Sequence, residues 1–261
     1  MLRAWLIEFW DYGELLLFLV WGDILIRYML KFVGASWAVI QPFFTMIIFT
    51  LFFGRMAKMP SDGIPYPIFS YSALLPWTYF STSVTLSGNS LIAGANLIRR
   101  VYFPRVALPG SSTLSGLVDF GIASVVLIAM MIYYDIAFSW GLLLWPVLVI
   151  PLMLLALGIG MILSSLNVKY RDVKHAIPFV IQSLLFITPI IYPTSIASDR
   201  VRALLAFNPL TGLIEAFRAS MLPTRSVDWA LLGQSVLITL VIFVIGAAYF
   251  RKTEREFADI I

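Results

Sequence analysis

Cysteine is absent from the 261 residues, which excludes disulfide bridges, thiolate metal sites and cysteine nucleophiles. Histidine occurs once, at His175, so no histidine cage for a metal can form, and that residue is given no role. Charge is scarce. Asp, Glu, Lys and Arg make up 12% of the chain, against about 25% in a soluble domain. No G-x-x-x-x-G-K-[ST] run occurs, so the chain lacks a phosphate-binding loop of that type. The acids are scattered: Asp62, Asp135, Asp199, Glu215 and Asp228 lie far apart, and Asp172 stands alone in its segment. A membrane glycosyltransferase or lipid phosphatase would need such acids, or histidines, clustered to hold a metal or move protons, which disfavours an enzyme. No catalytic and no metal-binding residue is assigned. Glu8, Asp11 and Glu14 interrupt the N-terminal apolar residues, unlike a cleaved signal peptide.

Apolar residues, by contrast, make up 61% of the chain. One globular core cannot hide that share, so the solvent is a bilayer. At about 20 residues per membrane helix, the length allows six or seven spans with short loops and no large soluble domain. The net charge of +4 fits loops held inside by Lys and Arg and calls for no nucleic-acid partner.

Residues 1–36 mix apolar runs with Glu14, Asp23, Arg27 and Lys31. Leu25, Tyr28, Met29 and Phe32 recur at helical spacing, which predicts an amphipathic helix in the membrane interface. Spans are predicted at Trp37–Phe53, Pro67–Ile92, Ala107–Tyr134, Gly141–Leu166, Ala176–Tyr192 and Trp229–Phe250. Trp37 anchors the first at the interface. The second is aromatic in its first half and hydroxyl-rich in its second, and such hydroxyls pair with neighbouring helices or face water. Two runs between spans five and six, Ile196–Phe207 and Leu210–Leu222, are too short to cross and suit re-entrant or interfacial helices, with Asn208-Pro209 as the turn. The fold class is thus all-α and integral to the membrane. The chain forms a single unit over 1–261: the interfacial region 1–36, the six-span region 37–250 and a charged tail 251–261.

Charge sets the topology. With both ends cytoplasmic, twelve cations lie inside (Arg3, Arg27, Lys31, Arg99, Arg100, Arg105, Lys169, Arg171, Lys174, Arg251, Lys252, Arg255) and six outside (Arg55, Lys58, Arg200, Arg202, Arg218, Arg225), as the positive-inside rule requires.

Short runs then carry a resemblance. They are RYMLKFVGASWA at Arg27–Ala38, PWTYF at Pro76–Phe80, NLIRRVYFPR at Asn96–Arg105 and Asp119-Phe120. NVKYRDV at Asn167–Val173, PIIYP at Pro189–Pro193, NPL at Asn208–Leu210 and EREFADI at Glu254–Ile260 follow. In order and over nearly the whole chain, they resemble the membrane permeases of ABC exporters for polysaccharides such as O-antigen, capsule and teichoic acid. That resemblance implies a homodimer in a bacterial cytoplasmic membrane, two copies of a separate ATPase that binds ATP and Mg, and a lipid-linked polysaccharide as cargo. No cofactor is expected on this chain itself. The same scaffold carrying drugs or small lipids is the alternative.

The resemblance also implies roles for particular residues. A short helix over Ala95–Pro104 would dock on the ATPase, using Asn96, Leu97, Arg99, Arg100, Val101, Tyr102, Phe103 and Arg105. Arginine suits such pairing because its planar fork meets carboxylates bidentately. Arg27, Lys31 and Trp37 belong to the interface helix and its junction with span one. Leu204, Asn208, Pro209, Glu215 and Arg218 belong to an external gate. Sugar C–H faces stack on aromatic rings, which makes Trp77, Tyr79, Phe80, Phe186 and Tyr192 candidates for the glycan path. Asp119 is the one acid well inside a predicted span, where a charge is costly. It is expected to link helices, with exposure to a wet channel as the alternative.

Overall fold

The computed structural model describes residues 13–29, 36–170, 172–221, 226–254 and 257. Among these there is no strand. The helices are α1 (Gly13–Met29), α2 (Ser36–Phe49), α3 (Tyr66–Ala93), α4 (Ala95–Arg100), α5 (Ala107–Tyr133), α6 (Trp145–Lys169), α7 (Val173–Ile187), α8 (Asp199–Leu205), α9 (Pro209–Met221) and α10 (Trp229–Thr253). A π-helical turn, Thr50–Met56, continues α2, and a 3₁₀ turn, Trp140–Leu144, leads into α6. Among the described residues, four stretches are long and apolar enough to cross a membrane: Ser36–Met56, Ala107–Tyr133, Trp140–Lys169 and Trp229–Thr253. This is a multi-pass membrane protein.

Helix α3 is the hub. It runs along α5 and α6 and is flanked by α2, α7 and α9, while α10 packs on α6 and α9. Its polar side chains explain how so central a helix tolerates them. Ser72, Ser87 and Ser90 donate to the carbonyls of Phe69, Val84 and Ser87, three residues back in the same helix. Their hydroxyls are thereby satisfied locally, and their small size lets α6 come close. A Cβ at Gly160 would strike the Ser87 hydroxyl. Asn167 of α6 adds an interhelical link, donating to the Gly88 carbonyl and to Asn89.

Helix α1 turns charges toward the protein, where a simple interfacial helix would turn them to water. Its open face is apolar, with Leu17, Phe18, Trp21 and Ile26 exposed. Asp23 and Arg27 instead turn toward α5. The reason lies in α5, which presents Ser111, Ser115 and Asp119 to α1. A charge finds partners there that lipid cannot supply.

The predicted fifth span ends sooner than its apolar run. Helix α7 stops at Ile187 and Thr188 is extended, because Pro189 disfavours helical geometry in the residue before it. The first short helix is likewise confined to Asp199–Leu205. The second, α9, is buried on most sides against α3, α6 and α10 rather than lying on the surface.

Candidate functional site

Three places gather the predicted residues. The first is the connection from α3 to α5. Gly94 ends α3, and α4 follows at once. Leu97 and Ile98 pack against a cluster containing Leu16, Leu91, Phe103, Leu108, Met161, Phe250 and Phe257. Arg99, Arg100, Val101 and Tyr102 project outward, and Tyr102 is 92% exposed. Asn96 is exposed as well. Phe103 turns back and is buried. Arg105 faces neither way. Its guanidinium donates to the main-chain carbonyl of Glu254, and its backbone N–H donates to Glu254 Oε1 at 3.1 Å. The segment therefore has an inner apolar side, an outward basic and aromatic edge, and one arginine turned to the end of α10.

The second place is a cavity of about 480 Å³ between α1, α2, α3 and α5. Arg27, Tyr28, Trp37, Gln41, Tyr79 and Asp119 line it, together with Thr78 and Thr82. Arg27 pairs with Asp119 at 3.0 Å and also donates to Ser115 Oγ at 3.0 Å. The Tyr28 hydroxyl donates to the other carboxylate oxygen of Asp119. Asp119 thus joins α5 to α1. One turn away along α1, Ser111 Oγ donates to Asp23 at 3.3 Å. Burial pushes the Asp23 carboxyl up from its ordinary value, against the pull of the Arg27 charge and the Ser111 hydroxyl. Lys31 lies outside the described residues.

The third place is the end of the molecule that holds α8 and α9. Asn208 caps α9, accepting from the Leu210 N–H at 3.1 Å, with Pro209 at the first helical position. Its amide also donates to Thr188 Oγ1 at 3.0 Å. Arg218 is only 1% exposed. It pairs with Glu215 at 2.7 Å and donates to the carbonyls of Pro189 and Ile190 at 3.1 and 3.3 Å. Its guanidinium lies 3.8 Å from the centre of the Phe69 ring. The arginine therefore fastens the irregular segment after α7 to α9 and α3. Leu204 on α8 is exposed.

The candidate aromatics divide. Trp77 and Phe80 are buried and pack on each other, with ring centres 5.9 Å apart. Tyr79 lines the cavity, donates to the Thr113 carbonyl at 3.2 Å and meets Phe120 edge-on. Phe186 is exposed on α7, and Tyr192 donates to the Ile187 carbonyl at 3.1 Å. Phe120, Trp145 and Phe217, none of them a sequence candidate for the glycan path, form an aromatic cluster continuing from Tyr79. Arg105, expected at the ATPase-facing edge, is instead partnered with Glu254. Nothing in a single sequence pairs residues 149 positions apart.

Residues 14–222 match the family model described as ABC-2 type transporter. The chain is 29% identical over 255 residues to the O-antigen export system permease protein RfbA of Myxococcus xanthus, covering 97% of each. A protein of the same name from Klebsiella pneumoniae is 26% identical over 252 residues, 95% of each. The polysialic acid transport protein KpsM of Escherichia coli is 24% identical over 227 residues, 85% of this chain and 86% of its own.

Proposed function

The chain belongs to the ABC-2 type transporter family, and from that membership we propose that it is the membrane permease subunit of an ATP-driven polysaccharide exporter. The observation that carries this reading is similarity along almost the full length to O-antigen export permeases. The cargo is a lipid-linked glycan of the surface-polysaccharide class. The chain does not hydrolyse ATP. Two copies of a separate ABC ATPase bind ATP and Mg and drive a permease homodimer in the bacterial cytoplasmic membrane.

Six spans complete the topology. Helix α3 has 28 residues, about 42 Å at 1.5 Å per residue, enough to cross. The hydroxyls of Ser72, Ser87 and Ser90 bond to its own carbonyls, so the polar composition that weakens its hydropathy does not bar it from a membrane. Helix α7 has 15 residues, about 22 Å, short of the roughly 30 Å of a hydrocarbon core. The segment after it makes up the depth. Irregular backbone is tolerated in a membrane where its carbonyls are satisfied inside the protein. Here Arg218 serves Pro189 and Ile190, and Tyr66 serves Ile191 at 2.8 Å. With six spans both termini face the cytoplasm, as does the basic edge of α4.

Arg99, Arg100, Val101 and Tyr102 form the edge offered to the ATPase, with Leu97, Ile98 and Phe103 seating the segment from behind. The cavity under α1 is the cytoplasmic mouth of the glycan path, with Arg27, Tyr28, Trp37 and Tyr79 around it. Phe186 and Tyr192 continue the path, while Trp77 and Phe80 pack on each other inside the protein. The α8–α9 hairpin, fixed by Asn208, Glu215 and Arg218, closes the external side.

The test is purification of the tagged chain from solubilised membranes. An ABC ATPase is expected to co-elute in equal amount, and the double change Arg99→Glu, Arg100→Glu is expected to release most of it. A chain that purifies with no ATP-hydrolysing partner would contradict the assignment.

A further inference from the structure

The connection between α4 and α5 meets the end of α10 in a reciprocal arrangement. The last carbonyls of a helix have no N–H donors within it and carry the negative end of its dipole. At the end of α10 one of them, Glu254's, is taken by the Arg105 guanidinium. In return the Glu254 carboxylate accepts the backbone N–H of Arg105. Three residues on, Phe257 is 1% exposed and packs edge-on against Phe250, with ring centres 5.4 Å apart. The Arg105 guanidinium lies 6.0 Å from the Phe257 ring centre. Both rings share an apolar cluster with Phe103 and Val106 of the connection and Leu16 of α1. Segments from the start, middle and end of the chain thus close on one point, directly behind the exposed edge Arg99–Tyr102.

We propose that Arg105 and Glu254 are positioning residues that join the ATPase-facing segment to the last membrane helix, so that a push on α4 moves α10 together with α5. This rests on the reading of α4 as the ATPase contact. Without the clamp, α4 still reaches its partner through residues 99–102, and α5 still follows it through the chain. What is lost is the rigid transfer to α10. The specific consequence is a fall in glycan exported per ATP hydrolysed, with docking and hydrolysis preserved.

The test uses the full permease–ATPase complex reconstituted in vesicles, with export of the cell's own lipid-linked polysaccharide and phosphate release measured together. Glu254→Ala removes the acceptor for the Arg105 N–H. It is expected to lower export per ATP roughly five- to tenfold, within the usual span of coupling effects, with ATPase co-elution retained. Glu254→Gln keeps an acceptor oxygen and is expected to stay near wild type, a rescue that a purely electrostatic role would not allow. Because the chain has no cysteine, Arg105→Cys with Glu254→Cys offers a second measurement. Joining the two by a short bis-methanethiosulfonate, with any ATPase cysteines replaced, is expected to raise export per ATP about fivefold over the unbridged variant, the lower end of such effects. The proposal is overturned if Glu254→Ala matches wild type, if Glu254→Gln falls as far as Glu254→Ala, or if the bridge forms and export per ATP does not change. A wild-type permease that holds no ATPase would instead defeat the functional reading on which the proposal rests.

Discussion

At the scale of single residues, Arg218 does most to shape one end of the molecule. A charge at 1% exposure must be matched on the spot, because desolvation costs several kcal/mol per ion. Its matches come from three elements: Glu215 on the same helix, two carbonyls after α7, and the face of Phe69 on α3. Arg218→Ala is expected to destabilise the protein by about 3 kcal/mol or more, since carbonyls and a carboxylate lose a buried partner together. Arg218→Lys should recover only part of this, because an ammonium does not reproduce the planar fork or its stacking on a ring. Thermal unfolding in detergent checks both. Wild-type stability in the alanine variant would show that the buried pair is energetically idle. Glu215 and Arg218 stand three apart in the sequence, a spacing that puts both on one helix face. That spacing could not show that Arg218 is enclosed, because enclosure depends on Phe69 and on a loop about 28 residues upstream.

At the scale of elements, close helix packing rests on small residues placed opposite one another. A Cβ at Gly246 on α10 would strike the Gly158 carbonyl on α6, and one at Gly158 would come within 2.8 Å of the Phe243 backbone. Backbone cannot yield as a flexible side chain can, so the helices would have to part. Gly246→Ala is expected to cost about 2 kcal/mol. Gly233→Ala, on the same helix with nothing within 4 Å of the added carbon, should be neutral or slightly stabilising. Comparing melting temperatures of the two variants checks this, and equal losses would contradict the packing account. Much of this level was legible beforehand. Apolar runs located α5, α6 and α10 to within a few residues, because a bilayer demands long uninterrupted stretches. The end of α7 was not, because the apolar run continues past Pro189 while the backbone does not. The direction of the α1 charges was not either. Helical spacing shows which residues share a face, and only α5 decides which face is inward.

At the scale of the whole molecule, the parts have a consistent order. The exposed basic edge of α4 offers itself to a partner at one end, the cavity beneath α1 lies between helices, and the α8–α9 hairpin is pinned by buried polar contacts at the other. Family membership and the likeness to O-antigen and polysialic acid permeases point to export of a polysaccharide. Deleting the gene and following the glycan, with surface polymer and internal lipid-linked polymer labelled separately, tests this export role. Surface polymer is expected to disappear while long lipid-linked chains accumulate inside. Unchanged surface polymer, with no internal accumulation, would contradict that role.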